Sequence, residues 1–91
     1  MEVTDVRVRR VVADNSKIRA TASVVFNNCL VVHDFRIVEG VNGLFVSMPC
    51  RRNADGSFRD IAHPITAEAR ERLIQALMDA YHASALDEAG D

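Results

Sequence analysis

At 91 residues, 48% hydrophobic and 26% charged, the chain has the size and composition of one modest globular domain. A domain this small buries only about 60–70% of its unfolded surface, so its core is thin and is often completed by a partner subunit. No apolar run approaches the ~18–20 residues of a membrane helix, and Met1-Glu2-Val3-Thr4-Asp5 lacks the basic and apolar segments of a secretory signal, so a cytoplasmic protein is expected.

The first two-thirds reads as strands and turns. Val6 and Val8 alternate with Arg7 and Arg9, the period of a half-buried strand. Asp14-Asn15-Ser16 marks a turn. Ile18, Ala20, Ala22, Val24 and Phe26 then share one face of a second strand, with Arg19, Thr21 and Ser23 on the other. Asn27-Asn28 tolerates positive φ and predicts a hairpin. In the third strand, Leu30 to Glu39, alternation puts Val31, His33, Phe35 and Ile37 on the apolar face and Asp34 and Arg36 opposite. Gly40-Val41-Asn42-Gly43 closes that strand with the Asn-Gly hairpin signal. Leu44 to Met48 is a fourth strand, ended by Pro49.

From Cys50 to Ser57 the chain turns polar, and Asp55-Gly56 predicts a tight turn at the tip of an exposed loop. Phe58 to Ala62 reads as a short further strand. Thr66 is an N-cap, with Glu68 and Glu71 near the positive end of the helix dipole. Ala69, Leu73, Leu77, Ala80 and Tyr81 then recur at helical spacing, flanked by Ile74. The helix is expected to end near Ser84, leaving 86–91 as an acidic, frayed tail beyond a single domain over 1–85. The predicted fold is α+β: an antiparallel meander of four to five strands with one C-terminal amphipathic helix packed on it. Two sheet edges and one covering helix favour a homodimer.

The net charge of −2 hides an asymmetry. Residues 1–63 hold nine basic and seven acidic side chains, whereas 64–91 hold two basic and six acidic; ten of the eleven basic residues are arginine. The guanidinium fork grips phosphate with two donors, so this bias points to a polyanion. Genomic base composition is the competing cause. Arg51 and Arg52 precede the predicted turn and Arg59 comes after it, so a hairpin would set all three along one phosphate track. Arg9 and Arg10, at the end of the first strand, are weaker candidates. The alternative reading of the loop is a solvated charged surface.

Enzyme and metal chemistry find little footing. His33 and Asp34 are expected on opposite faces, with His33 a hydrogen-bonded core histidine, and His63 belongs to the entry into the helix. Cys29 and Cys50 read as buried free thiols. Neither has a CxxC partner, and Cys29 and His33 stand about 13 Å apart at strand rise, too far for one zinc ion. No Walker or GxGxxG pattern is present. No catalytic residue, metal, cofactor or small-molecule substrate is expected.

Met1 to about Tyr81 resembles the SpoVG family. The likeness is carried by the opening segment Met1 to Arg10 and by Val31-Val32-His33-Asp34-Phe35-Arg36-Ile37-Val38-Glu39-Gly40. It is carried most specifically by Asn42-Gly43-Leu44-Phe45-Val46-Ser47-Met48-Pro49, continuing through Arg51-Arg52, Asp55-Gly56 and Phe58-Arg59-Asp60-Ile61-Ala62-His63-Pro64-Ile65. Local departures are Cys50 for a usual serine, Asn53-Ala54 for Thr-Pro, Ser57 for a common glutamate, and Asn15-Ser16 where a glycine is typical. The Thr-Pro replacement predicts a more flexible basic loop. The resemblance implies a bacterial regulator that binds DNA and RNA and is linked to septation, the cell cycle and sporulation. The alternative is a protein-interaction module in cell-division or regulatory control that does not touch nucleic acid.

Overall fold

Alternating apolar residues pair β1 (Val3–Arg10) with β2 (Ile18–Phe26) in antiparallel register, Val6 opposite Val24 and Val8 opposite Ala22. The computed structural model describes residues 2–11 and 17–89; the predicted turn at Asp14-Asn15-Ser16 lies outside them. Asn27 and Asn28 both adopt positive φ, 49° and 53°, and the Cys29 amide donates to the Phe26 carbonyl at 3.0 Å. This geometry is that of a type I′ hairpin turn, as the two asparagines predict. Thr4 Oγ1 accepts the Asn28 amide at 2.9 Å, which ties the turn to β1.

β3 (Leu30–Gly40) continues the meander and β4 (Gly43–Ser47) ends it, so the sheet order is β1-β2-β3-β4. The two-residue turn Val41-Asn42 lies between paired Gly40 and Gly43. A Cβ on Gly40 would come within 3.0 Å of the Phe45 ring, so glycine there lets the ring lie against the backbone.

The expected faces of β3 fail in its first half. Val32 lies opposite Val24 but Phe35 lies opposite Ala22, so His33 and Asp34 together oppose Ser23. Asp34 takes up the extra residue at φ 71°. A bulge resets the two-residue period. As a result Val32, not Val31 or His33, shares the core with Phe35 and Ile37. His33 is exposed rather than a core histidine.

Beyond buried Met48 and Pro49, β5 (Cys50–Arg52) and β6 (Phe58–Asp60) form a separate two-stranded hairpin. The Ile61 amide donates to the Pro49 carbonyl at 2.7 Å and closes the hairpin's base. Helix α1 (Ala67–Ala89) comes next. Thr66 caps it as expected, its Oγ1 accepting the Ala69 amide at 3.1 Å. The helix runs past Ser84, because Ala85-Leu86-Asp87-Glu88-Ala89 contains no helix breaker. Gly90 and Asp91 lie outside the described residues.

The core sits between α1 and the inner face of the sheet. Leu73, Leu77 and Tyr81 bury the predicted stripe against Ala20, Ala22, Val24, Phe26, Phe35 and Ile37. The two β2 alanines leave room for α1, which packs chiefly on β1 and β2. No helix among the described residues is long and apolar enough to cross a membrane.

Candidate nucleic-acid interface

The β5–β6 hairpin gathers the three leading arginines. Its register pairs Arg51 with Arg59, Arg52 with Phe58, and Cys50 with Asp60. Strand alternation therefore puts Arg51 and Arg59 on one face and Arg52 on the other. All three border a shallow cleft of about 530 Å³, together with Asn53, Ala54, Asp60 and Ile61. All three are exposed, and none forms an ion pair within the described residues.

The tip is held by local hydrogen bonds. The Asn53 amide donates to the Ser57 carbonyl at 2.7 Å, and the Gly56 amide donates to the Asn53 carbonyl at 3.0 Å. Gly56 adopts φ 90°, a conformation open to glycine at little cost. Asp55 Oδ1 accepts both the Ser57 hydroxyl at 2.6 Å and the Ser57 amide at 3.0 Å. These bonds hold the Asp55 carboxyl below its ordinary pKa, the hydroxyl contributing most. Asn53 Nδ2 donates to Ser57 Oγ at 3.1 Å. Asn53 and Ser57, two of the departures from the family's usual residues, are thus the ones that tie the tip.

The two strand arginines have different fates. Arg9 is exposed on the outer sheet face, opposite Thr21. Arg10 shares the inner face with Val6 and Val8 and reaches the helix. Its guanidinium lies 4.2 Å from the centre of the Tyr81 ring. Nε donates to Ser84 Oγ at 3.2 Å and Nη2 to the Tyr81 carbonyl at 3.1 Å. A phosphate would have to compete with these contacts for Arg10.

The bulge changes the outer face as well. His33 and Asp34 border one shallow concavity with Arg7, Arg9, Thr21 and Ser23, rather than opposite faces. Ser23 Oγ and His33 Nδ1 share a hydrogen bond of 2.7 Å on this open surface. Sequence reasoning missed this pair because alternation puts His33 inside. Arg7 pairs with Asp5, which neutralises part of the face; elsewhere Arg19 pairs with Glu39, whose hydrogen bond and charge raise the Arg19 pKa. Among the described residues no cluster of histidine, cysteine or carboxylate side chains could hold a metal ion. Cys29 is exposed, not buried, because it directly succeeds the Asn27-Asn28 turn, and Cys50 is half-buried.

The profile of the SpoVG family matches residues 1–83. A protein of Desulforudis audaxviator is 58% identical over 81 residues, covering 89% of this chain and 91% of its own. One from Clostridium perfringens is 51% identical over 81 residues, covering 89% of each chain. A third, from Caldicellulosiruptor bescii, is 48% identical over 83 residues, covering 91% of this chain and 93% of its own. All three carry the name "Putative septation protein SpoVG". Coverage on this scale leaves no separate region to account for the match, and the chain belongs to the SpoVG family.

Proposed function

We propose that this protein is a cytoplasmic, homodimeric regulator that binds DNA or RNA through the β5–β6 hairpin, in a role tied to septation as its relatives' name suggests. The observation that carries the reading is the hairpin itself: Arg51, Arg52 and Arg59 are exposed around one cleft without an ion-pair partner among the described residues. The acidic residue at the tip, Asp55, is occupied by Ser57. Guanidinium groups in such a place supply phosphate contacts with little sequence preference, to which base contacts must add specificity. A homodimer is supported by β4, an outer strand with exposed Leu44 and Phe45, which a second copy would cover. Two subunits would present two hairpins to one ligand.

The same exposed residues on β4 favour a second reading, docking of a protein partner without nucleic acid. A titration against single-stranded RNA and duplex DNA at two salt concentrations separates them. Phosphate binding weakens steeply as salt rises, whereas an apolar interface responds little. Sedimentation in the same buffers should give about twice the 10.1 kDa chain mass. Absence of binding to either nucleic acid at low salt would transfer the assignment to protein docking.

A further inference from the structure

The two faces of the arginine hairpin carry different chemistry. Arg51 and Arg59 form an all-cation face, but Arg52 lies across from Phe58, whose side chain is 67% exposed. Of the other phenylalanines, Phe26 and Phe35 are in the core, and Phe45, 51% exposed, lies on β4, away from the hairpin's arginines, with its ring near Gly40. Phe58 is thus an open aromatic ring with a guanidinium as its cross-strand neighbour, where Cβ atoms stand about 4.5–5.5 Å apart.

We propose that the hairpin's ligand is an unpaired nucleic-acid strand, one base of which stacks on the Phe58 ring while Arg52 holds an adjoining phosphate. The proposal rests on the nucleic-acid reading above and deepens it: the arginines alone can hold a duplex, and Phe58 adds a preference for single-stranded DNA or RNA. In a duplex each base is already stacked on both sides, so an exposed ring gains nothing except at an end. In a single strand the π-face is available, and stacking on an aromatic side chain works for any base. Asp60 lies on the same face, two pairs nearer the hairpin base. Its carboxylate repels phosphate, so the backbone runs on the Arg52 side of the ring, towards the tip. From there it can pass over the hairpin edge to Arg51 and Arg59.

The test uses the full chain with two probes: an oligouridine of about 12 nucleotides, within the span of a small single-strand site, and a blunt duplex DNA. Phe58→Ala should weaken oligouridine binding by about 5- to 150-fold, the range for loss of one stacked base. Duplex affinity and the salt slope for both probes should stay as in the wild type. The chain contains no tryptophan, so Phe58→Trp introduces a single indole that can be excited selectively. That variant should keep oligouridine affinity, and its emission should be quenched by oligouridine but not by the duplex. If Phe58→Ala binds both probes as the wild type does, stacking is wrong. The nucleic-acid reading still stands in that case provided that Arg51→Ala/Arg52→Ala loses both probes. If the arginine variant binds both normally, the parent reading falls, and this proposal with it. Conversion of Phe58→Ala to a monomer in sedimentation would assign the ring to a subunit interface and overturn the proposal. Should Phe58→Ala fail to fold, quenching of Phe58→Trp decides: an unquenched indole overturns it.

Discussion

The guanidinium of Arg10 stacks over the ring of Tyr81, its carbon 4.2 Å from the ring centre, and binds the Tyr81 carbonyl and the Ser84 hydroxyl. One side chain therefore fastens the end of β1 to the middle of α1, where Tyr81 completes the smaller core cluster with Ala20 and Ile37. Arg10→Ala should lower stability by about 1–2 kcal/mol, the range of a partly desolvated cation–π contact. Urea denaturation would measure it. Nucleic-acid affinity should stay unchanged when the variant is assayed below its unfolding transition. A fall in affinity with no shift of the urea midpoint would make Arg10 a ligand contact instead.

The bulge makes its own prediction. Asp34 holds φ 71°, a left-handed conformation that costs a residue with a Cβ roughly 1–2 kcal/mol and costs glycine little. Asp34→Gly should therefore match or exceed wild-type stability, by up to about 1 kcal/mol, offset by the larger entropy of the unfolded glycine. Asp34→Val should destabilise, since a branched Cβ tolerates this region poorly. Equal denaturant midpoints for the two variants would mean that β3 is not bulged at this residue.

At the hairpin tip, hydrogen bonds from Ser57 stabilise the ionised form of Asp55 and lower its pKa. Because the folded value is depressed, the contribution to stability is complete above the ordinary aspartate pKa of about 3.9 and is lost as pH falls through the lower, folded value. The tip should keep its structure throughout the neutral range and loosen only in acid. Carboxyl carbon NMR should show Asp55 titrating below the usual aspartate range, and Ser57→Ala should move it upward. An unchanged Asp55 titration in that variant would refute the linkage.

The helix stripe bears directly on the core. Leu77 is fully buried at its centre, and Leu77→Ala should cost about 2–5 kcal/mol through lost transfer energy and a residual cavity. Coincident midpoints for the variant and the wild type in guanidinium chloride would contradict the observed packing.

Much of this arrangement is legible in the sequence because local signals and packing agree. The Val6/Val8 and Ala20–Phe26 alternations match the burial, Asn27-Asn28 makes its turn, and Leu73, Leu77 and Tyr81 face the sheet. The basic hairpin is legible too, because Asp55-Gly56 marks its tip between Arg52 and Arg59. The face of His33 is not, since period-two alternation assumes unbroken pairing. Val31 and Val32 are equally apolar, so only the register set by Val24 and Ala22 decides which one enters the core. Arg10 carried a usable signal: parity with Val6 and Val8 puts it on the helix side, but a charge at a strand end reads first as solvent-facing. The end of α1 was hidden because Ser84 resembles a stop, while the stretch from Ala85 to Ala89 still favours helix.

The arginine hairpin supports the prediction with the widest consequence for function. Each guanidinium neutralises about one phosphate, so the proposed homodimer, with two three-arginine hairpins, can engage up to about six. Fewer contacts form at once, because both hairpins must reach the same ligand. Replacing Arg51 and Arg52 by alanine in both subunits should weaken binding to every sequence tested. It should flatten the salt slope by up to roughly 3–4 for duplex DNA, at ~0.9 per lost contact. Both residues are exposed and make no ion pair within the described residues, so folding and sedimentation should match the wild type. The acidic side of α1 should behave oppositely. Asp79 accepts a hydrogen bond from Gln75 at 2.8 Å on an exposed surface, and Asp79→Ala should leave affinity unchanged or raise it slightly by removing a charge that repels phosphate. A folded, dimeric Arg51→Ala/Arg52→Ala variant with wild-type affinity and salt slope would remove the hairpin from the interface. The exposed residues of β4 would then be the surface to test against protein partners.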